Sequence, residues 1–257
     1  MIQHSFNGAV EVVTTTNCHE RKLRIFRYHA HTIEGEHCYY GYPGNATQME
    51  NAFKLRYQVF CEECGFMPKE CFLDGQEKDA YDSVQSTRML VALDPDRENN
   101  VFGVIRAVRD PQNAMYNSRS LFDSRGNLIE KLPIEKHISV AACRDKGRNI
   151  EQVTSLVVGE SRGKRVHFGL FKSIYLDAVD HNIDDIFIQA NPSAVWLFEA
   201  IGFEKIYEGR YKIIDEHSIE NNRDVPVCGM HLDMHNIHHC FLSYFQKSSH
   251  CFLFRGE

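Results

Sequence analysis

The sequence predicts an α/β protein with one central mixed sheet flanked by helices, and three observations carry that prediction. Apolar residues recur at spacings of three and four from Ala46 to about Cys64, and again through HFGLFKSIYLDAVDHN, the period of helices with one buried face. Four short β-rich runs, STRMLVALD, VFGVIRAVRD, IEQVTSLVV and DDIFIQA, are bounded by turn residues. In the final third, strand and helix patterns alternate, which is the order of an α/β sheet rather than of separate layers.

Taken in order, residues 1–45 read as an N-terminal extension with two strand-like pieces, GAVEVVTTT and KLRIFRYHA, closed by the turn-like GYPGN. In the first helix Met49, Ala52, Phe53, Arg56, Val59 and Phe60 share a side, so Arg56 stands beside the buried stripe. An arginine in that place either snorkels or meets an acid. The loop that follows supplies Glu77, Asp79 and Asp82 within six residues. STRMLVALD and VFGVIRAVRD, separated by DPDRENN, read as an antiparallel hairpin. Alternation puts Arg106 on one face with Val104 and Val108, so this charge on an apolar face needs a partner.

Residues 110–148 form a long polar stretch with a short helical possibility at LPIEKHIS, and a loop of that length is usually functional. IEQVTSLVV is a strand, GESRGKR a basic turn, and the helix after it buries Phe168, Phe171, Ile174, Tyr175 and Ala178 on one side. DDIFIQA is a short buried strand. NPSAVWLFEAIG is a helix with Pro in its first turn and Gly at its end, and FEKIYEGRYKIID opens a further strand or strand pair. Residues 46–230 thus form the body, and 231–257 a histidine- and aromatic-rich tail with helical periodicity at Ile237, Phe241, Tyr244 and Phe245.

Composition limits the partners. The 257 residues support one sizeable core, and 43% hydrophobic with 25% charged residues is an ordinary globular balance. A net charge of −6 without a basic stripe argues against nucleic acid, while leaving room for an acidic carrier protein at a local basic patch. The N-terminus lacks a basic segment followed by an apolar one, and no apolar run approaches membrane-spanning length, so a cytoplasmic protein without a span is expected. Nine unpatterned cysteines are expected as free thiols. Cys61-x-x-Cys64 with Cys71 is half of a zinc site, but no second pair completes it, and no metal is expected.

Arg56, then Glu77-x-Asp79-x-x-Asp82, then Arg106 in a strand resembles the acyl-homoserine-lactone synthases and two relatives, the N-acyl amino acid synthases and the PEP-CTERM/exosortase-associated acyltransferases. The text RYQVFCEECGF…DGQEKDAYD is most similar to the last two. From strand to ANPSAVWLFEAIGFEKI, the chain resembles the C-terminal half of a GNAT-type N-acyltransferase. The resemblance covers about residues 46–215 and implies a GNAT-like fold, fatty acyl transfer to the amine of an amino acid or small amine, and no cofactor beyond the acyl donor, an acyl-carrier protein or acyl-CoA.

The resemblance further implies that Arg56, Asp79, Asp82 and Arg106 form a charged network at the catalytic cleft, with Glu77 also among the catalytic residues. Carboxylates there would orient an ammonium group or relay its proton, and arginines would brace them. Phe60, Phe66, Thr154, Ser155, Leu156 and Val157 are the implied substrate-lining residues. Backbone N–H groups where the strand Val153–Val158 splays from its neighbour would meet the oxyanion. Where the family has Glu-x-Ser/Thr-Arg, this chain has Gln152-Val153-Thr154-Ser155, so glutamine stands in the place of a candidate base and cannot take its proton. Glu151 is adjacent but faces the other way on a regular strand. The basic turn Arg162, Lys164, Arg165 suits the phosphopantetheine arm of a carrier protein and equally suits a solvated turn. Two function classes stay open: an N-acyltransferase, with homoserine-lactone synthesis as a lesser variant, and a catalytically weakened acyl- or carrier-binding protein.

Overall fold

A computed structural model describes residues 12–13, 25–26, 38–84, 86–94, 96–97, 99–112, 130–159, 165–213 and 223–235. Nine strands lie within them. β1 (Val12–Val13) and β2 (Ile25–Phe26) pair antiparallel, where the sequence gives two strand-like pieces. The other seven are β3 (Tyr39–Gly41), β4 (Thr87–Leu93), β5 (Val101–Arg109), β6 (Ile150–Val158), β7 (Asp185–Ala190), β8 (Glu204–Ile213) and β9 (Arg223–Asp233). They form one sheet in the order β3-β4-β5-β6-β7-β9-β8. Every pairing is antiparallel except β6 with β7. The expected mixed sheet is therefore present, with the VFGVIRAVRD and IEQVTSLVV strands side by side.

Helices cover both faces. α1 (Ala46–Tyr57) starts at Asn45, whose side chain accepts from the Gln48 N–H at 2.9 Å and satisfies one orphan donor of the first turn. Ala52 and Leu55 of α1 pack against Met89, Val91, Val101, Val104 and Val157 on what we call the near face. α2 (Ala141–Asp145) and the turn Pro133–Lys136 cover the same face further along, around Val108, Ile134, Ile150 and Phe187. α3 (Arg165–Asp180) buries Leu170, Phe171, Ile174 and Ala178 on the far face, next to α4 (Val195–Ile201). Each large apolar side chain buried there contributes roughly 1.5–3 kcal/mol. Gly169 lets α3 approach β3, because a Cβ there would lie 2.1 Å from Cζ of Tyr40. α4 ends on Gly202 at φ 113°, the left-handed geometry that the glycine permits.

Several boundaries differ from the expectation. The helix expected to run to about Cys64 changes at Gln58 into a wider π-helical segment (Gln58–Glu63), closed by Cys64 N–H to the Val59 carbonyl at 2.9 Å. Residues 39–41 are the edge strand of the main sheet rather than part of a separate extension ending at 45, because Tyr39–Gly41 pair with Val91–Leu93. The body does not end at 230: His231, Leu232 and Asp233 continue β9 in register with Phe187, Ile186 and Asp185. β9 also enters the sheet between β7 and β8. The long polar stretch carries the turn Pro133–Lys136 and α2, while its residues 113–129 and the expected tail helix lie outside the described residues. Among the described residues, no helix is long and apolar enough to cross a membrane.

Candidate active site

The near face holds a charged network assembled by three elements. α1 presents Arg56, β5 presents Arg106, and the segment between the π-helix and β4 presents three carboxylates. That segment is pinned to α1 by Glu77 N–H donating to the Phe53 carbonyl at 3.2 Å. Its last turn, Ala80–Ser83, is a reciprocal cap: Asp79 accepts from the Tyr81 N–H at 2.9 Å, and Asp82 accepts from the Asp79 N–H at 2.9 Å. The capped turn holds Asp79 and Asp82 on the same residue of β5, Arg106.

Arg56 is fully buried, and its guanidinium lies 5.6 Å from the centroid of the Phe53 ring. Its Nε donates to Glu77 Oε2 at 2.5 Å and its Nη1 to Asp82 Oδ1 at 2.8 Å. Arg106, 3% exposed, holds Asp79 in a fork, with Nη1 to Oδ1 at 2.8 Å and Nη2 to Oδ2 at 2.6 Å. Its Nη1 also reaches Asp82 Oδ1 at 2.7 Å. One carboxylate oxygen is thus shared by both arginines. The sequence expected each arginine to meet Asp79 or Asp82, and both do.

The carboxylates are not equivalent. Burial works against the charge on Asp82, yet Arg106 and Arg56 hold its carboxyl below the usual aspartate value. Burial pushes Glu77 up despite the opposing pull of Arg56 and Arg106. Asp79 is the one that meets solvent, with its side chain 37% exposed against 6% for Asp82 and 5% for Glu77. Three carboxylates facing two guanidiniums, with the open one outermost, make a place for an ammonium group.

Next to this network the sheet opens. β6 and β7 pair only from Ile150↔Asp185 to Val153↔Ile188, so the remainder of β6 diverges. The β5–β6 register also shifts here: Arg106 opposes Ser155 and Ala107 opposes Val153, leaving Thr154 as the extra residue of a bulge. Thr154 Oγ1 accepts from Arg106 Nε at 2.7 Å, which joins the opening to the charged network.

The other expected site residues are placed as follows. Ser155 is buried opposite Arg106, and Val157 packs under α1. Leu156 belongs to the far-face core and is therefore not turned toward the network. Phe60 packs on the α1 cluster, and its carbonyl accepts from the Phe66 N–H at 2.7 Å, so both stand beyond the end of α1. Arg162 and Lys164 lie outside the described residues. Arg165 begins α3, its side chain undescribed.

Gln152 is 1% exposed, and its Oε1 accepts from the Ile134 N–H at 2.6 Å. That geometry makes it a strut that fastens the Pro133–Lys136 turn to β6, and sets it apart from the Arg106 network. Glu151 faces the far side, as alternation requires, and pairs with Arg88, which also reaches Asp177 at 3.0 Å. In the tail, His231 Nε2 lies 2.7 Å from Asp185 and His235 Nε2 2.7 Å from Asp184, so two of its histidines pair with separate aspartates. Among the described residues no group of three or more His, Cys, Asp or Glu side chains could hold a metal ion. Sequence reasoning passed over Gln189 on β7. Its only signal there was a polar residue in an otherwise apolar strand, a signal without meaning until the parting of β6 from β7 is known.

A family model described as N-acyl amino acid synthase FeeM matches residues 51–233. No curated protein matches the sequence significantly. Among solved structures, FeeM, an N-acyl amino acid synthase from uncultured soil microbes, is 15% identical, with 81% of this chain and 97% of that chain covered at a TM-score of 0.57. A CoA-dependent acyl-homoserine lactone synthase, BjaI, with SAM and isopentyl-CoA, is 17% identical over 78% and 81% of the two chains, with a TM-score of 0.48. NAA60 of Arabidopsis thaliana in complex with acetyl-CoA is 12% identical over 77% and 99%, also at 0.48. The first likeness shows the fold, the expected GNAT-like one.

Proposed function

From the premise that this chain belongs to the family of the N-acyl amino acid synthase FeeM, and so is an N-acyltransferase, we propose that it moves a fatty acyl group from an acyl-carrier protein thioester to the amine of an amino acid or small amine. The observation that carries the reading is Asp79, a half-open carboxylate forked by Arg106 beside the place where β6 leaves β7.

In the proposed reaction Asp79 holds the acceptor's ammonium group and takes its proton through water. The free amine attacks the thioester carbonyl, the C–S bond breaks, and the thiolate leaves with a proton. Backbone N–H groups of β6 beyond Val153 meet the tetrahedral oxyanion. Asp82, Glu77 and Arg56 hold Arg106, and Arg106 holds Asp79, so the network is preorganised rather than assembled on binding. The carrier protein would dock at the basic turn of Arg162, Lys164 and Arg165, in the cytoplasm where its thioesters are made.

The second reading, a weakened acyl- or carrier-binding protein, is favoured by Gln152, which offers no proton acceptor where the family pattern has glutamate. Purified protein incubated with decanoyl-acyl-carrier protein or decanoyl-CoA and a pool of amino acids, amines and S-adenosylmethionine, followed by mass spectrometry, separates the two. An N-acyl product formed from the carrier thioester supports the proposal. A product from CoA alone moves the donor, a homoserine lactone names the lesser variant, and binding without product establishes the second reading.

A further inference from the structure

Gln189 is the side chain that the network leaves out. Alternation along β7 puts it on the near face with Phe187, one residue past the last β6–β7 pair, Val153↔Ile188. Continued by one step, that register would set Thr154 against Gln189, so the two flank the opening. On its other side β7 pairs with β9, and the residue opposite Gln189 is Gly229, which adds no side chain to the near face. Beyond Gly229 stands Tyr207 of β8, stacked on His137 at a centroid distance of 5.9 Å. In this row the amide Nε2 of Gln189 is buried and has no hydrogen-bond partner among the described residues.

A buried N–H without an acceptor costs free energy, and sites that discriminate strongly between substrates are built from such groups. The donor is neutral, so it calls for an oxygen rather than for a cation. Asp79, two strands away through Arg106 and Thr154, calls for an ammonium group. From β5 across β6 to β7 is at least two strand spacings, roughly 10 Å, since β6 and β7 part here. An α-amino acid hydrogen-bonded at both ends, with each bond about 2.8–3.0 Å, spans a comparable distance.

We propose that Gln189 reads the acceptor, its Nε2 donating to the carboxylate of an α-amino acid whose ammonium group lies on Asp79. This assignment rests on the acyl-transfer reading above and adds the residue that distinguishes an amino acid from the corresponding simple amine. Thr154, fixed by Arg106, forms the other lip of the same opening and keeps the two ends of the acceptor apart.

The test compares wild type, Gln189→Leu and Gln189→Glu with phenylalanine against phenethylamine and leucine against isoamylamine, pairs that differ only in the carboxylate. Decanoyl thioesters of acyl-carrier protein and of CoA serve as donors. In Gln189→Leu the ratio of kcat/KM for amino acid over amine falls by at least ~10-fold, through KM, and in Gln189→Glu it falls further. The Tm of Gln189→Leu stays level or rises, since an unpaired donor has been removed, an outcome that a structural role would not give. An unchanged ratio, or a loss confined to kcat, overturns the assignment, the latter by putting the amide at the thioester oxygen. If wild type acylates none of the four, the acyl-transfer reading fails on its own, and calorimetric titration with phenylalanine decides the role of Gln189. Binding at least ~10-fold weaker in Gln189→Leu supports the assignment, whereas equal binding, or none, overturns it.

Discussion

Arg106 Nε donates to Thr154 Oγ1 at 2.7 Å because β6 carries one residue more than β5 at that point. Without the bulge, Thr154 would oppose a β5 residue in ordinary register. With it, the hydroxyl turns onto the near face and accepts from Nε, the guanidinium nitrogen of Arg106 that Asp79 and Asp82 do not use. Thr154→Val keeps the shape and removes that acceptor, so it is expected to cost about 1–3 kcal/mol, while Thr154→Ser costs less. Urea unfolding of the two variants measures the difference.

The same argument ranks the arginines. Arg106 is buried and holds two carboxylates, whereas Arg97 is exposed in the turn between β4 and β5. Removing one partner of a buried pair costs roughly 3–5 kcal/mol, because the charges left behind are stranded. Arg97→Ala is expected to stay within about 0.5 kcal/mol of wild type. Equal denaturation midpoints for the two variants would remove the network from any account of stability.

How much of this was legible beforehand depended on which interactions were local. α1, the β4–β5 hairpin and the faces of Arg56 and Arg106 follow from periods of 3.6 and 2, so each arginine's need for an acid was legible, while the network itself came from the family resemblance. Glu151 facing away from Gln152 followed from alternation alone. β3 was hidden because three residues beside a Gly-Tyr-Pro turn carry no alternation, and their pairing with Val91–Leu93 is a tertiary fact. The insertion of β9 between β7 and β8 is also invisible in chain order. The strut role of Gln152 and the orphaned amide of Gln189 depend on which neighbours are missing or supplied from distant segments, and no spacing rule encodes that.

Acid should weaken the near-face network by protonating Asp82. Asp82 has its folded-state pKa lowered below the ordinary 3.8, so between those two values the unfolded chain binds more protons. Its contribution is full above about pH 4 and is lost as pH falls through the folded pKa. Asp82→Asn should flatten that part of the stability curve while lowering stability at pH 7. Denaturant midpoints from pH 7 down to pH 2.5, wild type against variant, provide the check.

Lys172 gives a slope of the same sign at higher pH, here because burial disfavours its charge. It lies on α3 with 3% of its surface exposed, and burial lowers its pKa to about 7. From there to the ordinary 10.5 the unfolded chain holds the proton that the folded chain has released, so stability rises with pH over that window, by up to ~1.4 kcal/mol per unit. Lys172→Met should remove the slope and raise stability at pH 7. A flat wild-type profile from pH 7 to 10 would mean that the ammonium stays charged inside the fold.

The glutamine at the place of the family's carboxylate gives the last prediction. Read from the resemblance alone, Gln152→Glu would supply a base and raise the rate of amine attack, by ~10²–10⁴-fold if general-base catalysis were missing. The structure argues otherwise. The side chain is 1% exposed, its oxygen already accepts from the Ile134 N–H, and its job is to hold a turn. A glutamate there can keep that bond, but as an ion it buries a charge. It is therefore expected to stay protonated well above the ordinary glutamate value. Folded-state protonation of this kind stabilises at low pH and is lost as pH rises, so Gln152→Glu should be less stable at pH 8 than at pH 5, relative to wild type. No gain in the rate of acyl transfer is expected at either pH. Initial rates and denaturation midpoints at both values settle it: a rate gain of tenfold or more would put position 152 in the cleft and make the strut incidental.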